Sequence, residues 1–248
     1  GVDEIADRLV LVNGRILTLD PRRPVVAALA IAGGRVTATG GRGEVERRRD
    51  RHTRVIDLRG ATVIPGLVDA HAHLDREGLK VLYPSLARCR SIADIQRLIR
   101  AHAARRKPGE WIVTMPVGAP PFYQGVPECL ADRRWPTRAD LDAAAPDHPV
   151  YLRGIWGYWN RPPVYSVANS RALALAGVTR QTVPPPGVEI VKDAAGQPTG
   201  VFVEHNLIQV LEFTLMREAP RFTPDDRRRA LRVSQRRYAA RGVTAVYE

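Results

Sequence analysis

The sequence predicts an α/β fold that is entered through a small antiparallel β-sandwich and breaks off before it closes. Three observations predict it. Residues 8–65 hold three hairpin-like units with short turns. An apolar strand ending in polar residues follows in "VIPGLVDAHAHLD", Val63 to Asp75. A capped helix over 223–241 then delivers a second apolar strand, "VTAVYE" (243–248). A helix that delivers a buried strand, with nothing after it, marks an interrupted α/β arrangement.

The three hairpin-like units are read first. "RLVLVNGRILTLD" places Asn13-Gly14 between two apolar segments, the strongest short hairpin signal. "VVAALAIAGGRVTATG" repeats the pattern around Gly33-Gly34, and "TRVIDLRGATVIPGL" around Arg59-Gly60. Between them, "GEVERRRDRH" (43–52) is a short charged helix or loop. After Pro65-Gly66 the pattern changes to the apolar strand "LVDAHAHLD". A helix is expected over 91–106, capped by Ser91 with Asp94 three residues on. Ile92, Ile95, Leu98 and Ile99 form its apolar face, and Pro108-Gly109 stops it.

"EWIVTMPV" (110–117) and "PVYLRGIW" (149–156) read as strands, separated by a Pro-, Gly- and Asp-rich stretch with a short helix near "TRADLDAAAP". "NSRALALAGV" (169–178) is a short helix, and "GVEIVKDAAGQPTGVFVE" (187–204) is two strands joined by a polar turn. Residues 205–217 look helical. In the last segment Thr223 caps, Pro224 takes the first helical position, and Asp225 and Asp226 sit in the first turn. Gly242 ends that helix.

Composition bounds the function. The chain has 248 residues, 44% of them hydrophobic, enough for one large domain or two small ones with a substantial core. No run approaches about 18 uninterrupted apolar residues, so no membrane span is expected. The opening "GVDEIAD" is acidic and does not read as a signal peptide. Cys89 and Cys129 lie far apart, which fits a reducing, cytoplasmic setting and supports neither a disulfide scaffold nor a Cys-based zinc cluster.

The formal charge of +12 raises the question of nucleic acid. Yet Lys80, Lys107 and Lys192 are the only lysines, and a skew toward arginine more often reflects coding composition than a binding face. The runs Arg47-Arg48-Arg49 and Arg227-Arg228-Arg229 sit beside acids, so they read as solvated helix faces. No nucleic-acid partner is expected.

His71-Ala72-His73 is the chemically loaded element. Residues i and i+2 of a strand point to the same face. Two imidazoles side by side can share one Zn²⁺ or similar ion. A solvated or hydrogen-bonded strand end is the plainer reading of the same pair. Other histidines are weaker candidates. His52 lies in the sandwich, His102 on the amphipathic helix and His148 in an Asp-His-Pro loop, all read as structural or solvent-facing. Glu204-His205 ends a strand and is also read as structural.

At these residues the chain resembles the amidohydrolase superfamily. "VIPGLVDAHAHLD" is similar to its first barrel strand, where a PG-[LF]-[VI]-D-x-H-x-H stretch supplies two metal ligands. "LVLVNGRILTLD", "VAALAIAGGRVTATG" and "VIDLRGATVIPG" resemble its N-terminal β-sandwich segment. "PTRADLDAAAPDHPVYLR", "NSRALALAGV" and "GVEIVKDAAGQPTGVFVE" resemble the YtcJ-like branch, the amidohydrolase family 3 proteins, which carry a long insertion between barrel strands 1 and 2. "RYAARGVTAVYE" resembles the helix and strand 2 that re-enter the barrel.

The resemblance implies an incomplete metal-dependent TIM barrel with an N-terminal β-sandwich segment and an α+β insertion. Its parts would be residues 1–64 (sandwich segment), 65–109 (barrel strand 1 and the following helix), 110–220 (insertion) and 221–248 (helix and barrel strand 2). It also implies hydrolysis of a C–N bond of amide, imide, carbamate or N-acyl type by a metal-activated water. His71 and His73 match the metal ligands. Asp69 matches the acidic residue before them, hydrogen bonding to hold the strand end or orient an imidazole. The implied cofactor is one or two divalent ions, zinc first, with Mn, Fe, Co or Ni as alternatives. The family's bridging lysine, two further histidines and catalytic aspartate lie on later strands and match nothing here, so the general base is expected outside these residues.

One region departs from the family. Many family 3 members carry a loop similar to "DGHAAWVNS"; here "GIWGYWNRPPVYSVANS" (154–170) lacks histidine and is aromatic. Trp156, Tyr158, Trp159 and Tyr165 either pack a loop or line a substrate pocket for flat or apolar small molecules. A parallel barrel needs eight strands and two are supplied, so a companion polypeptide or C-terminal segment, and an oligomer, are expected. A cleavage product or a shortened chain is the other explanation. A non-catalytic regulatory or assembly subunit, inactive without its complement, is the alternative to an enzyme.

Overall fold

The computed structural model describes residues 8–154 and 161–248. The chain divides into two compact units, one reaching to Ala72 with Tyr238–Tyr247, the other His73–Arg237 with Glu248.

The first unit opens with β1 (Arg8–Val12), β2 (Arg15–Leu17), β3 (Val25–Val26), β4 (Ala28–Ala32) and β5 (Arg35–Gly40). Then come α1 (Arg42–Glu46), β6 (Arg54–Asp57), β7 (Thr62–Val63) and β8 (Leu67–Asp69). Two small mixed sheets result, ordered β5-β4-β1-β6 and β3-β2-β7. Val10, Val12, Ala28, Ala30 and Val45 form the core.

Only one of the three expected hairpins in this region forms. At Gly33-Gly34 both residues have positive φ, 55° and 72°, and β4 and β5 pair antiparallel around them. That is the turn conformation that matches strand twist. Asn13-Gly14 and Arg59-Gly60 instead act as corners. β1 pairs parallel with β6, and β2 pairs parallel with β7. The two corners are bonded to each other, with Gly60 N–H to Asn13 O at 2.7 Å and Arg15 N–H to Ala61 O at 3.0 Å. The turn residues were read correctly. What they join was not, because two chain segments turn together from one sheet to the other.

The second unit contains α2 (Leu74–Leu79), α3 (Ile92–Ala103), β9 (Ile112–Thr114), α4 (Arg138–Ala144) and β10 (Val150–Leu152). It continues with β11 (Val164–Ala168), α5 (Ser170–Leu175), β12 (Val188–Lys192), β13 (Pro198–Glu204) and α6 (Pro224–Ala239). One mixed sheet, β12-β13-β11-β10-β9, holds it together. Alternate residues serve opposite faces. Leu152, Val167 and Val201 pack with Ile95, Ile99 and Leu141 of α3 and α4. Tyr151, Ala168 and Phe202 pack with Ala172, Leu173 and Met216 on the other side.

The helices after Ser91 and Thr223 begin where their caps predict. Ser91 Oγ accepts from Asp94 N at 3.1 Å, and Asp94 Oδ2 takes the Arg90 N–H at 2.8 Å. Thr137 N–H reaches Asp140 Oδ2 at 2.7 Å, and Thr223 N–H reaches Asp226 Oδ2 at 2.9 Å. Residues 205–217 are not the expected helix; they hold a single 3₁₀ turn at Leu211–Phe213. The reason is Glu204, whose buried carboxylate accepts from the backbone N–H groups of Val210 and Leu211 and pulls the segment into a loop.

The last strand, β14 (Val243–Val246), pairs parallel with β8, as expected of two neighbouring barrel strands. It is half-exposed rather than buried, since β8 is its one strand partner among the described residues. The described strands form four sheets, and none closes into a barrel. Both cysteines are free. Among the described residues no helix is long and apolar enough to cross a membrane.

Candidate metal centre and ligand cavity

β8 ends at Asp69, so His71 and His73 lie just beyond the strand rather than on it. The strand-face geometry expected for the pair therefore does not apply directly. The backbone around His71 is nevertheless fixed. Tyr247 N–H donates to Asp69 O at 2.9 Å, and Ala72 N–H donates to Tyr247 O at 3.0 Å. Asp69 Oδ1 accepts the His71 N–H at 3.1 Å. That bond ties the Asp69 side chain to the backbone just past the strand end. His71 is exposed, Ala72 is buried and His73 is half-buried.

His73 occupies the N-cap of α2, and its carbonyl accepts the Glu77 N–H at 3.1 Å. Glu248 lies within electrostatic reach of it. The Glu248 carboxyl is held above the usual carboxylate range, first by burial and then by the charge and hydrogen bond of Asp75; His73 and Arg76 pull the other way.

Imidazole nitrogen is a borderline donor that suits Zn, Mn, Fe, Co or Ni, so each histidine is chemically fit to serve as one ligand of a larger set. Among the described residues no group of three or more His, Cys, Asp and Glu converges to complete one.

The other histidines have structural surroundings. His148 is buried, with Nδ1 2.9 Å from Glu110 O. His102 of α3 meets Arg106 beyond the helix end, His52 meets Arg51, and exposed His205 lies 3.8 Å from Glu189. Tyr165 belongs to β11 and stacks on Trp135 at 4.6 Å, which is packing. Trp156, Tyr158 and Trp159 lie outside the described residues.

A cavity of about 880 Å³ lies within the second unit, on the Tyr151 face of the sheet. Its floor is unusually polar for a sheet face. β10 and its extension supply Tyr151 and Arg153, β11 supplies Ser166 and β13 supplies Glu204, all buried. Arg153 Nε donates to Glu212 Oε1 at 2.6 Å and Nη2 donates to Pro220 O at 2.6 Å. Its guanidinium lies over the rings of Tyr83 and Phe222, 5.1 and 4.7 Å from their centroids. Burial pushes the Tyr151 hydroxyl well above its ordinary pKa, and the Glu212 charge adds to this. Sequence reasoning missed this floor. The available signal was the period-2 pattern of "VYLR" and "VYSVA", which puts Tyr151, Arg153 and Ser166 on one face only once β10 and β11 are paired in register.

The sequence profile of an amidohydrolase family matches residues 54–248. The N-substituted formamide deformylase of Arthrobacter pascens is 30% identical over 201 residues, covering 79% of this chain and 34% of that protein. Protein LONG AFTER FAR-RED 3 of Arabidopsis thaliana is 28% identical over 244 residues, covering 98% of this chain and 38% of that protein. The chain therefore spans well under half the length of these curated relatives. The crystal structure of an uncharacterized metal-dependent hydrolase from Pyrococcus furiosus is similar with a TM-score of 0.62 and 25% identity, over 96% of this chain and 43% of that one.

Proposed function

This chain belongs to the amidohydrolase family, and from that membership we propose that it serves metal-dependent hydrolysis of a C–N bond in a small organic substrate. One observation carries the reading: His71-Ala72-His73 stands immediately past the C-terminal end of β8, beside its parallel partner β14. Barrel enzymes gather their chemistry at that end of their strands. His71 and His73 would hold a divalent ion, zinc first. Such an ion, when bound, supplies an activated water and polarises the scissile carbonyl.

The chain's own contribution is positioning. Asp69 fixes the backbone at His71, and the Tyr247 bonds fix it on either side. A ligand on a tethered backbone loses less freedom when it binds. The deformylase relative supports a bond of N-acyl type, with amide, imide and carbamate bonds as chemical neighbours. The general base and the remaining ligands are assigned to polypeptide outside residues 1–248, a companion chain or a C-terminal segment.

Metal analysis of the purified protein with its complement should return a bound divalent ion. His71→Ala with His73→Ala should lower metal affinity by about tenfold or more. Turnover of an N-formyl amine should drop about a hundredfold with it. A metal-free wild type, or full turnover in the double variant, overturns the proposal.

A further inference from the structure

The cavity of the second unit calls for a different explanation from the histidine pair. A sheet face inside a core is normally apolar, and burying ionic groups there is expensive unless they are matched. Here Tyr151, Arg153, Ser166 and Glu204 share the floor, while Leu79, Leu211 and Phe222 make the walls. An apolar pocket of roughly 300–1,000 Å³ with a few convergent polar groups is the usual form of a small-molecule site. At about 880 Å³ this one falls inside that range.

The polar groups also specify what is missing. Glu204 already accepts from the Val210 and Leu211 N–H groups. Glu212 accepts from Arg153, and Arg227 on the cavity edge is paired with Asp75 at 3.0 Å. The acceptors are therefore in use, and donors are left over. Arg153, 2% exposed, keeps its Nη1 without a hydrogen-bond partner among the described residues. Arg221 at the rim lies over the Phe213 ring at 5.0 Å and forms no ion pair among the described residues. A ligand completing this site brings an acceptor, brings negative charge and has an apolar body.

We propose that this cavity binds an apolar organic carboxylate, its body against the leucine and phenylalanine walls and its carboxylate toward Arg153 and Arg221. Among the described residues the lining belongs to the second unit, and the proposed binding does not depend on a metal.

The test is calorimetric titration of the purified protein, in the presence of a chelator, with 4-phenylbutyrate and with its neutral amide. The carboxylate should bind saturably at one site and about tenfold or more tighter than the amide. Arg221→Gln, at an exposed position, should weaken the carboxylate by about threefold or more and leave the amide unchanged. Arg153→Met with Glu212→Met, which removes the buried charges as a pair, should bring the two probes to equal affinity. Absence of saturable binding, equal affinities in the wild type, or a carboxylate preference that survives both variants overturns the inference. Because the chelator removes metal, none of these outcomes bears on the hydrolase proposal.

Discussion

Gly78 is decided by one close approach. It lies in α2, and a Cβ there would run into the Ala230 carbonyl of α6. The same two helices are joined by Ser234 Oγ donating to Leu74 O at 2.5 Å. In an open helix, Gly→Ala gains about 1 kcal/mol. Here Gly78→Ala should lower stability by about 1–3 kcal/mol, as overpacking does. A urea melt settles the sign, and a stabilised variant refutes the close packing. Arg153 poses the opposite problem, a charge held in place by its partner. Arg153→Met alone strands Glu212, which is 24% exposed, and should cost about 3 kcal/mol, the low end for a broken buried pair. Adding Glu212→Met should return stability to within about 1 kcal/mol of wild type. Additive losses in this double-mutant cycle would mean that the pair is not coupled.

Helix starts were legible because each is written in three or four adjacent residues. Ser91 with Asp94 forms the bond its spacing implies, and the Thr223 cap is closed by Asp226. The 205–217 segment was not legible, because its fate is set by Glu204 just before it, and the sequence does not show that this carboxylate is buried and turned onto the Val210 and Leu211 N–H groups. Nor was the β1–β6 pairing, which joins residues far apart in sequence. The capping aspartates carry a pH dependence. Asp226 is held below its ordinary pKa chiefly by the Thr223 N–H, and Asp94 chiefly by the Arg90 N–H. At Asp140 burial pushes upward, but the bonds from Arg134 and Thr137 outweigh it and the net shift is downward. A depressed folded pKa means stability that is fully present above the unfolded value of about 3.9 and lost as pH falls through the lower folded value. Asp140→Asn with Asp226→Asn should therefore flatten the fall in urea midpoint between about pH 5 and pH 2. An acid limb as steep as wild type would show that these caps do not titrate with unfolding.

Over the whole molecule, legibility follows how local the determining residues are. The histidine pair could be singled out because both imidazoles sit in three consecutive residues. The cavity could not, because its floor is collected from Tyr151, Ser166 and Glu204 by strand register. Register also separates the cores. The buried cluster of the first unit, around Val10, Ala28 and Val45, contains no residue of the two clusters that hold the second. It is also much the smaller, and opening free energy scales with the apolar surface a region buries. The first unit should then open independently and more often. Val45→Ala, at a position 0% exposed, should cost about 2 kcal/mol. That is roughly thirtyfold in an opening equilibrium. Amide exchange in β1, β4 and β5 should accelerate by about that factor, while β10, β11 and β13 keep their wild-type rates. Ile99→Ala, also 0% exposed, should do the reverse, accelerating the second unit and sparing the first. If either substitution speeds exchange equally in both sets of strands, the chain opens as one cooperative body. The sandwich segment would then share the stability of the rest of the chain rather than form a unit with its own.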